Sequence, residues 1–166
     1  MKNALNSLAA AFAMYSKLPA PQVVWSADTL SYALCFFPLV GLVIGAFLGL
    51  WLWLSAVLGL GIFLRGAGAL LVPILLTGGM HLDGFCDTAD ALGSHQTRER
   101  MLEILKDSRI GAFALFACVG YLIFCFALWC EVECTWGAVL TLALVPGLSR
   151  GLSGYAAVTF PNARGT

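Results

Sequence analysis

Long stretches without a charged side chain constrain this chain more than any other feature. The first covers residues 29–64, which are 36 consecutive positions without Asp, Glu, Lys or Arg. Three more follow, at 66–82, 110–130 and 134–149. A helix crosses the hydrocarbon core of a bilayer with about 20 apolar residues. Stretches of this length therefore favour membrane-spanning helices.

Composition excludes most other classes of protein. Hydrophobic residues make up 60% of the 166 positions and charged residues 11%, whereas an ordinary soluble domain has about 25% charged residues. Too few polar side chains are present to cover the surface of a soluble enzyme. The formal net charge is zero, so no basic field indicates a nucleic-acid partner. The remaining class is an all-α, multi-pass integral membrane helical bundle.

The charge-free stretches predict about four spans, paired as two hairpins in a single membrane domain over residues 1–166. The helices of the two hairpins and their turns are expected at 31–53, 59–61 and 62–82, and at 110–130, 131–133 and 134–153. Residues 1–28 resemble an interfacial amphipathic segment. Eight of the nine Lys and Arg residues fall at one face, which the positive-inside rule makes cytoplasmic, and only Arg65 lies towards the other.

Residues 83–109 form the one polar region and hold ten of the 18 charged side chains, so we expect a cytoplasmic loop that carries the active site. Asp83, Asp87 and Asp90 follow an i, i+4, i+7 spacing, which on a helix places them within about 60° of arc. Bare carboxylates crowded there repel one another, and a divalent cation removes the repulsion. Oxygen ligands favour Mg²⁺ or Mn²⁺. The alternative is a solvated helix face at the membrane edge.

A second polar motif follows at residues 98–109, RERMLEILKDSR. Its apolar stripe predicts an interfacial amphipathic helix in which Glu103 pairs with Lys106. Its end adds a fourth carboxylate, Asp107, beside the cations of Lys106 and Arg109. These cations suit a phosphate group that a metal also holds.

Other polar positions leave two interpretations open. His81 is either a hydrogen-bonded spacer or a base. Three glycines, Gly78, Gly79 and Gly84, either let a ligand approach the backbone or pack helices together. Arg150 and Arg164 are either positive-inside anchors or additional phosphate ligands. The residues alone thus indicate a membrane enzyme or transporter with an acidic cytoplasmic edge that suits a phosphorylated or diphosphate substrate.

Two strings carry a family resemblance: GGMHLDGFCDTADAL at 78–92 and MLEILKDSRIGAF at 101–113. Together they closely resemble the cobalamin synthase family, adenosylcobinamide-GDP ribazoletransferase, and the similarity runs over essentially the whole chain. The resemblance implies a Mg²⁺-dependent transferase of the bacterial inner membrane that joins adenosylcobinamide-GDP to α-ribazole or its 5′-phosphate and releases GMP. Its implied partners are these two substrates, the lipid bilayer and other cobamide-assembly enzymes.

The resemblance also assigns residues. The positions that match the two family motifs are Asp83, Asp87, Asp90, Lys106, Asp107, Arg109 and Gly111. We hypothesise that the first three carboxylates hold Mg²⁺, that Asp107 or Asp90 accepts the proton of the attacking hydroxyl, and that Lys106 and Arg109 offset charge on the leaving GMP. Gly79 and His81 complete the predicted substrate-binding set.

This chain departs from the family pattern in two places. Leu82 stands where many members have Glu, which removes a fourth acidic ligand there. Family chains continue with further membrane helices, so we expect this chain to be shortened at its C-terminus. Two other classes share part of the pattern. A CDP-alcohol phosphotransferase would carry DGxxAR, where Asp87 replaces the Ala, and a transporter would place its carboxylates on broken helices near the bilayer midplane.

Overall fold

A computed structural model describes residues 2–107 and 109–161, and all regular structure in these ranges is helical. The elements are α1 (Lys2–Tyr15), α2 (Ala27–Ala33), a 3₁₀ turn (Leu34–Phe36), α3 (Phe37–Val57), α4 (Ile62–Thr77), α5 (Met80–Gly93), α6 (Arg98–Ile104), α7 (Ala112–Glu131) and α8 (Trp136–Thr159). Both predicted hairpin turns are confirmed, because they separate α3 from α4 and α7 from α8.

The apolar helices confirm the all-α membrane class. Two segments of the described chain are long and apolar enough to cross a membrane: 27–57, which joins α2 to α3, and α7. A third is added if α4 and α5 form one broken span. This count is lower than the predicted four, and α8, expected as the fourth span, is not among the candidates.

A stripe of glycines on α3 determines how the long helices pack. Gly41 and Gly45 lie one turn apart, and a Cβ added to them would overlap the backbone carbonyl oxygens of Pro146 and Ala143 on α8. Small residues at this spacing let two helix backbones approach closely. Helix α8 therefore lies mainly against α3, while α7 packs on α4 and α5. The predicted pairing of α7 with α8 as a packed hairpin is wrong, because connection by a short turn does not determine which faces fit.

A sharp bend separates α4 from α5. The helix predicted to continue to residue 82 ends at Thr77, and the two helix axes differ in direction by 93°. Gly78 and Gly79 both adopt left-handed backbone conformations, with φ of 65° and 78°, which glycine adopts without a steric penalty. The polar region at 83–109, which was expected to be a loop, is largely helical because α5 and α6 occupy most of it.

Candidate active site

The acidic motif lies on one helix, as its spacing predicts. Asp83, Asp87 and Asp90 all belong to α5, with Asp83 exposed and the other two partly buried. Helix α5 is held against α7 by the aromatic rings of Phe85 and Tyr121, whose centroids are 5.2 Å apart. The position of the acidic face is therefore determined by packing between α5 and α7.

Asp90 has a structural partner on α7. Its Oδ1 accepts a hydrogen bond of 3.3 Å from the backbone N–H of Ala114, in the first turn of that helix. The first N–H groups of a helix have no partner within the helix, and its N-terminus favours negative charge. A Cβ on Gly111 would overlap both carboxylate oxygens of Asp90. The two family-like motifs thus meet at Asp90 and Gly111.

A site with three carboxylate ligands is not assembled in the described residues, where no group of three His, Cys, Asp or Glu side chains lies close enough to hold a metal. Asp90 is engaged with α7, whereas Asp83 and Asp87 lie one helical turn apart. Mg²⁺ commonly takes one or two carboxylates together with substrate phosphates and water. The donor set of Asp83 and Asp87 fits such a site.

The second motif is organised around an ion pair. Helix α6 ends at Ile104, and Arg109 then forms a fork with Asp107, with Nη2 2.7 Å from Oδ2 and Nε 3.0 Å from Oδ1. These hydrogen bonds hold the pKa of Asp107 at about 2 and raise the pKa of Arg109. A carboxylate with so low a pKa is a weak general base near neutral pH.

The one side-chain pairing predicted in this motif, between Glu103 and Lys106, is wrong. Glu103 accepts a hydrogen bond of 2.6 Å from Nη1 of Arg100, one turn before it, rather than pairing with Lys106 one turn after it. Helix α6 ends at Ile104, so Lys106 lies beyond the helix and its side chain is exposed.

A cavity of about 440 Å³ lies between α3, α4, α5, α7 and α8. Of the predicted site residues, Gly79 and His81 line it, together with Arg150, and the four aspartates do not. At 100° per residue, the α5 positions that line the cavity (81, 82 and 85) lie about 160° from the acidic face. The structure therefore places two distinct chemical surfaces on opposite sides of α5.

Comparison with known proteins identifies the family. The family model for cobalamin-5-phosphate synthase matches residues 7–166. The chain belongs to this family. Proteins named adenosylcobinamide-GDP ribazoletransferase are 42% identical over 160 residues in Lachnoclostridium phytofermentans, covering 96% of this chain and 60% of that protein, and 37% identical over 142 residues in Clostridium perfringens, covering 86% and 57%.

The chain matches only part of the length of its relatives. A third relative of the same name, from Desulfitobacterium hafniense, is 44% identical over 112 residues, which cover 67% of this chain and 43% of that protein. The chain thus spans three fifths or less of the length of these curated relatives. No solved structure is significantly similar to it.

Some residues that line the cavity were not predicted from the sequence, or were predicted without a definite role. Arg150 had two open interpretations, and the structure places it in the lining of the cavity. Arg164 lies outside the described residues. Ser149 and Ser153, one turn apart on α8, were missed. Their spacing around Arg150 was the available signal, but serines are too common in apolar helices for that spacing to identify them.

Proposed function

We propose that this chain takes part in the reaction for which its relatives are named, the joining of adenosylcobinamide-GDP to α-ribazole or its 5′-phosphate with release of GMP. The observation that carries the proposal is the 42% identity over 160 residues, which extends across both polar motifs. The acidic face of α5, held against the start of α7, is the candidate location of the chemistry.

The reaction exchanges a phosphoanhydride bond for a phosphate ester bond. A ribose hydroxyl of the acceptor attacks the corrinoid-linked phosphorus of the donor. The bond from that phosphorus to the bridging oxygen breaks, GMP leaves with the bonding electrons, and the hydroxyl proton passes to a base. Such transfers depend mainly on positioning and on neutralising charge.

Mg²⁺ is part of this proposal, with Asp83 and Asp87 as its protein ligands. Held by these two carboxylates, Mg²⁺ would supply positive charge to offset that of the diphosphate. The two carboxylates belong to one helix and lie a turn apart, so they present oxygen atoms on a common side. Asp90 has a different role because its Oδ1 accepts the N–H of Ala114.

Proton acceptance is assigned to Asp90 rather than Asp107. The pKa of about 2 makes Asp107 a weak base near neutral pH, and Asp90 keeps a second carboxylate oxygen outside its hydrogen bond to α7. In this arrangement Asp107 orients the guanidinium of Arg109, which together with Lys106 offsets charge on the leaving GMP.

The setting of this reaction is also proposed. The chain would cross the bacterial inner membrane several times, with α5 and α6 at the cytoplasmic face. An amphipathic corrinoid would reach such a site from the bilayer and the nucleotide from the cytoplasm. Other cobamide-assembly enzymes would dock at the same face.

One structural observation favours a second candidate function. The 93° bend before α5 makes the acidic motif part of a broken helix, which is the geometry expected of a transporter site. Transport and transfer differ in a simple way, because only transfer releases GMP from the donor.

The test is GMP release by membranes that carry the chain, supplied with adenosylcobinamide-GDP and α-ribazole 5′-phosphate. At a Mg²⁺ concentration that half-saturates the unmodified chain, we expect release that requires the acceptor, is abolished by EDTA and is largely lost in Asp87→Asn. The matched control is Asp28→Asn, which neutralises an exposed carboxylate on α2 and should retain full release. Release that persists in EDTA or in Asp87→Asn contradicts the metal site, and its absence from the unmodified chain contradicts the transferase.

A further inference from the structure

An arginine without an acidic partner lies in the wall of the cavity between α3, α4, α5, α7 and α8. This residue is Arg150, and no Asp or Glu is found among the described residues that line the cavity. Nε of Arg150 is buried and has no hydrogen-bond partner, and Nη1 donates only a long bond of 3.4 Å to the Pro146 carbonyl oxygen, one turn earlier. A partly buried charge with so few partners is costly unless an anion completes it.

Arg150 lies at the end of the cavity nearest the bend before α5. A Cβ on Gly41 of α3 would lie 2.7 Å from Cδ of Arg150, so the side-chain stem crosses α3 at a position that has no side chain. One turn earlier on α3, the ring of Phe37 meets the ring of His81 on α5, with centroids 5.8 Å apart. Gly79, at the bend itself, lines the same cavity. The charged end of the cavity is therefore close to the start of α5.

From this end the cavity extends along two helices. Its lining residues fall between positions 69 and 77 on α4 and between 121 and 129 on α7, and each interval is about 12 Å of helix at 1.5 Å per residue. Most of these side chains are apolar, as with Leu70, Ile74 and Trp129. The volume of about 440 Å³ lies in the range of small-molecule sites. An elongated cavity with one cationic end and one apolar end matches an amphiphile with an anionic head.

The cavity is bordered by two helices that do not meet. Helix α7 packs on α4 and α5, α8 packs on α3, and over the described parts of the chain α7 and α8 do not pack on each other. Both nevertheless line the cavity, through Tyr121 and Trp129 on α7 and through Ser149 and Ser153 on α8. Helix α7 is a candidate membrane span of which little is buried by the other helices. The gap between α7 and α8 is therefore a lateral entrance for a molecule of the bilayer.

We propose that this cavity binds one anionic phospholipid, phosphatidylglycerol, with its phosphate on Arg150 and an acyl chain along α4 and α7. Basic pockets between membrane helices on the cytoplasmic side are typical sites for anionic headgroups. A zwitterionic lipid fits less well, because the described lining holds no carboxylate to pair with its ammonium group. The hydroxyls of Ser149 and Ser153 can hydrogen-bond the glycerol headgroup. This lipid site is separate from the acidic face of α5 and has no part in the proposed transfer.

The first test counts bound lipids by native mass spectrometry. The purified chain in detergent is titrated with phosphatidylglycerol or with phosphatidylcholine of the same acyl chains. We expect one firmly retained phosphatidylglycerol per chain and an apparent Kd for phosphatidylcholine about fivefold higher or more. Arg150→Met should raise the apparent Kd for phosphatidylglycerol about tenfold or more, because a charge-assisted hydrogen bond is lost. Equal affinity for the two lipids, or an unchanged Kd in Arg150→Met, would overturn the proposal.

Arg65→Met is the matched control. Arg65 on α4 also has a buried Nε without a partner, but its Nη2 donates to the Val132 carbonyl oxygen, and Arg65 is not among the described residues that line the cavity. The substitution removes the same charge from the same bundle, and we expect the apparent Kd for phosphatidylglycerol to change by less than about twofold. A loss as large as that of Arg150→Met would reduce the effect to net charge and contradict the site.

A second pair of variants tests the apolar part of the cavity while Arg150 stays in place. Cys125→Phe adds a ring to the cavity lining on α7 and should weaken phosphatidylglycerol binding as strongly as Arg150→Met. Ala127→Phe adds the same ring to an exposed position of α7 outside that lining and should leave binding unchanged. This pair decides the proposal even if Arg150→Met does not fold. Binding that is unchanged in Cys125→Phe would contradict an acyl chain in the cavity.

Two other occupants would give different results. A site for a soluble anion would bind inorganic phosphate, measured by calorimetry in phosphatidylcholine nanodiscs, with an affinity that Cys125→Phe preserves. A second copy of the chain would give a dimer mass that is lost in Arg150→Met. Either result would overturn the lipid assignment. All of these readouts measure binding or mass, so failure of the GMP-release assay would contradict the proposed function alone.

Discussion

Asp90 of α5 and Gly111 at the start of α7 share one space, because a Cβ on Gly111 would overlap both oxygens of the Asp90 carboxylate. The same carboxylate accepts the N–H of Ala114, so it joins α5 to the first turn of α7 across 24 residues of sequence. The missing side chain at Gly111 is therefore part of how the candidate active site is assembled.

Gly111→Ala tests this relationship. The added methyl group should displace Asp90 and break its hydrogen bond to α7, lowering the free energy of unfolding by about 1–3 kcal/mol and reducing GMP release. Thermal unfolding in detergent measures the first effect. Gly120→Ala is the control on the same helix, since its Cβ would meet no atom within 4 Å. If both substitutions destabilised the protein equally, the effect would come from alanine in this segment in general and not from the contact with Asp90.

The bend before α5 offers a comparison of two adjacent glycines. Gly78 and Gly79 both have positive φ, so alanine at either should destabilise the fold by about 1–2 kcal/mol. Only at Gly78 would the Cβ also overlap the side-chain stem of Lys17. Gly78→Ala should thus lower the thermal midpoint further than Gly79→Ala. In a Lys17→Ala background the two should become equivalent, and a difference that survives there would contradict this explanation.

These glycines also show where sequence reasoning stops. A charge-free run is a local property, so α7 and most of α3 were predictable to within a few residues. The two adjacent glycines, in contrast, suggested either close approach of a ligand to the backbone or helix packing, and neither interpretation predicts the 93° bend. Chain order predicted the packing of α3 on α4 but not that of α8, which depends on the small residues of α3 fitting against α8.

Some features of the candidate site were also predictable from local sequence, and others depend on tertiary packing. Helical spacing was sufficient to place Asp83 and Asp87 on one face. The bond from Asp90 to Ala114 arises only when α5 meets α7. Likewise, the cavity position of Arg150 depends on four other segments that no local pattern brings together.

The ion pair between Asp107 and Arg109 makes a prediction about pH. The pKa of Asp107 is about 2, below the unfolded value near 3.9. Its contribution to stability is therefore present above pH 4 and is lost as the pH falls towards 2. Arg109→Gln should raise the pKa of Asp107 back towards 3.9, as measured by carboxyl NMR of labelled aspartate. Lys106→Gln, which removes a neighbouring cation that makes no such fork, should leave that pKa nearly unchanged.

The last prediction separates metal binding from proton transfer among the three carboxylates of α5. Asp83→Asn and Asp87→Asn should raise the Mg²⁺ concentration needed for half-maximal GMP release about tenfold or more, because each removes a charged ligand. Asp90→Asn should lower kcat without moving that concentration, since Asn can still accept the N–H of Ala114 but cannot take the proton. Asp90→Ala should in addition lose stability. If Asp90→Asn raised the required Mg²⁺ concentration as much as Asp87→Asn, Asp90 would be a metal ligand and not the base.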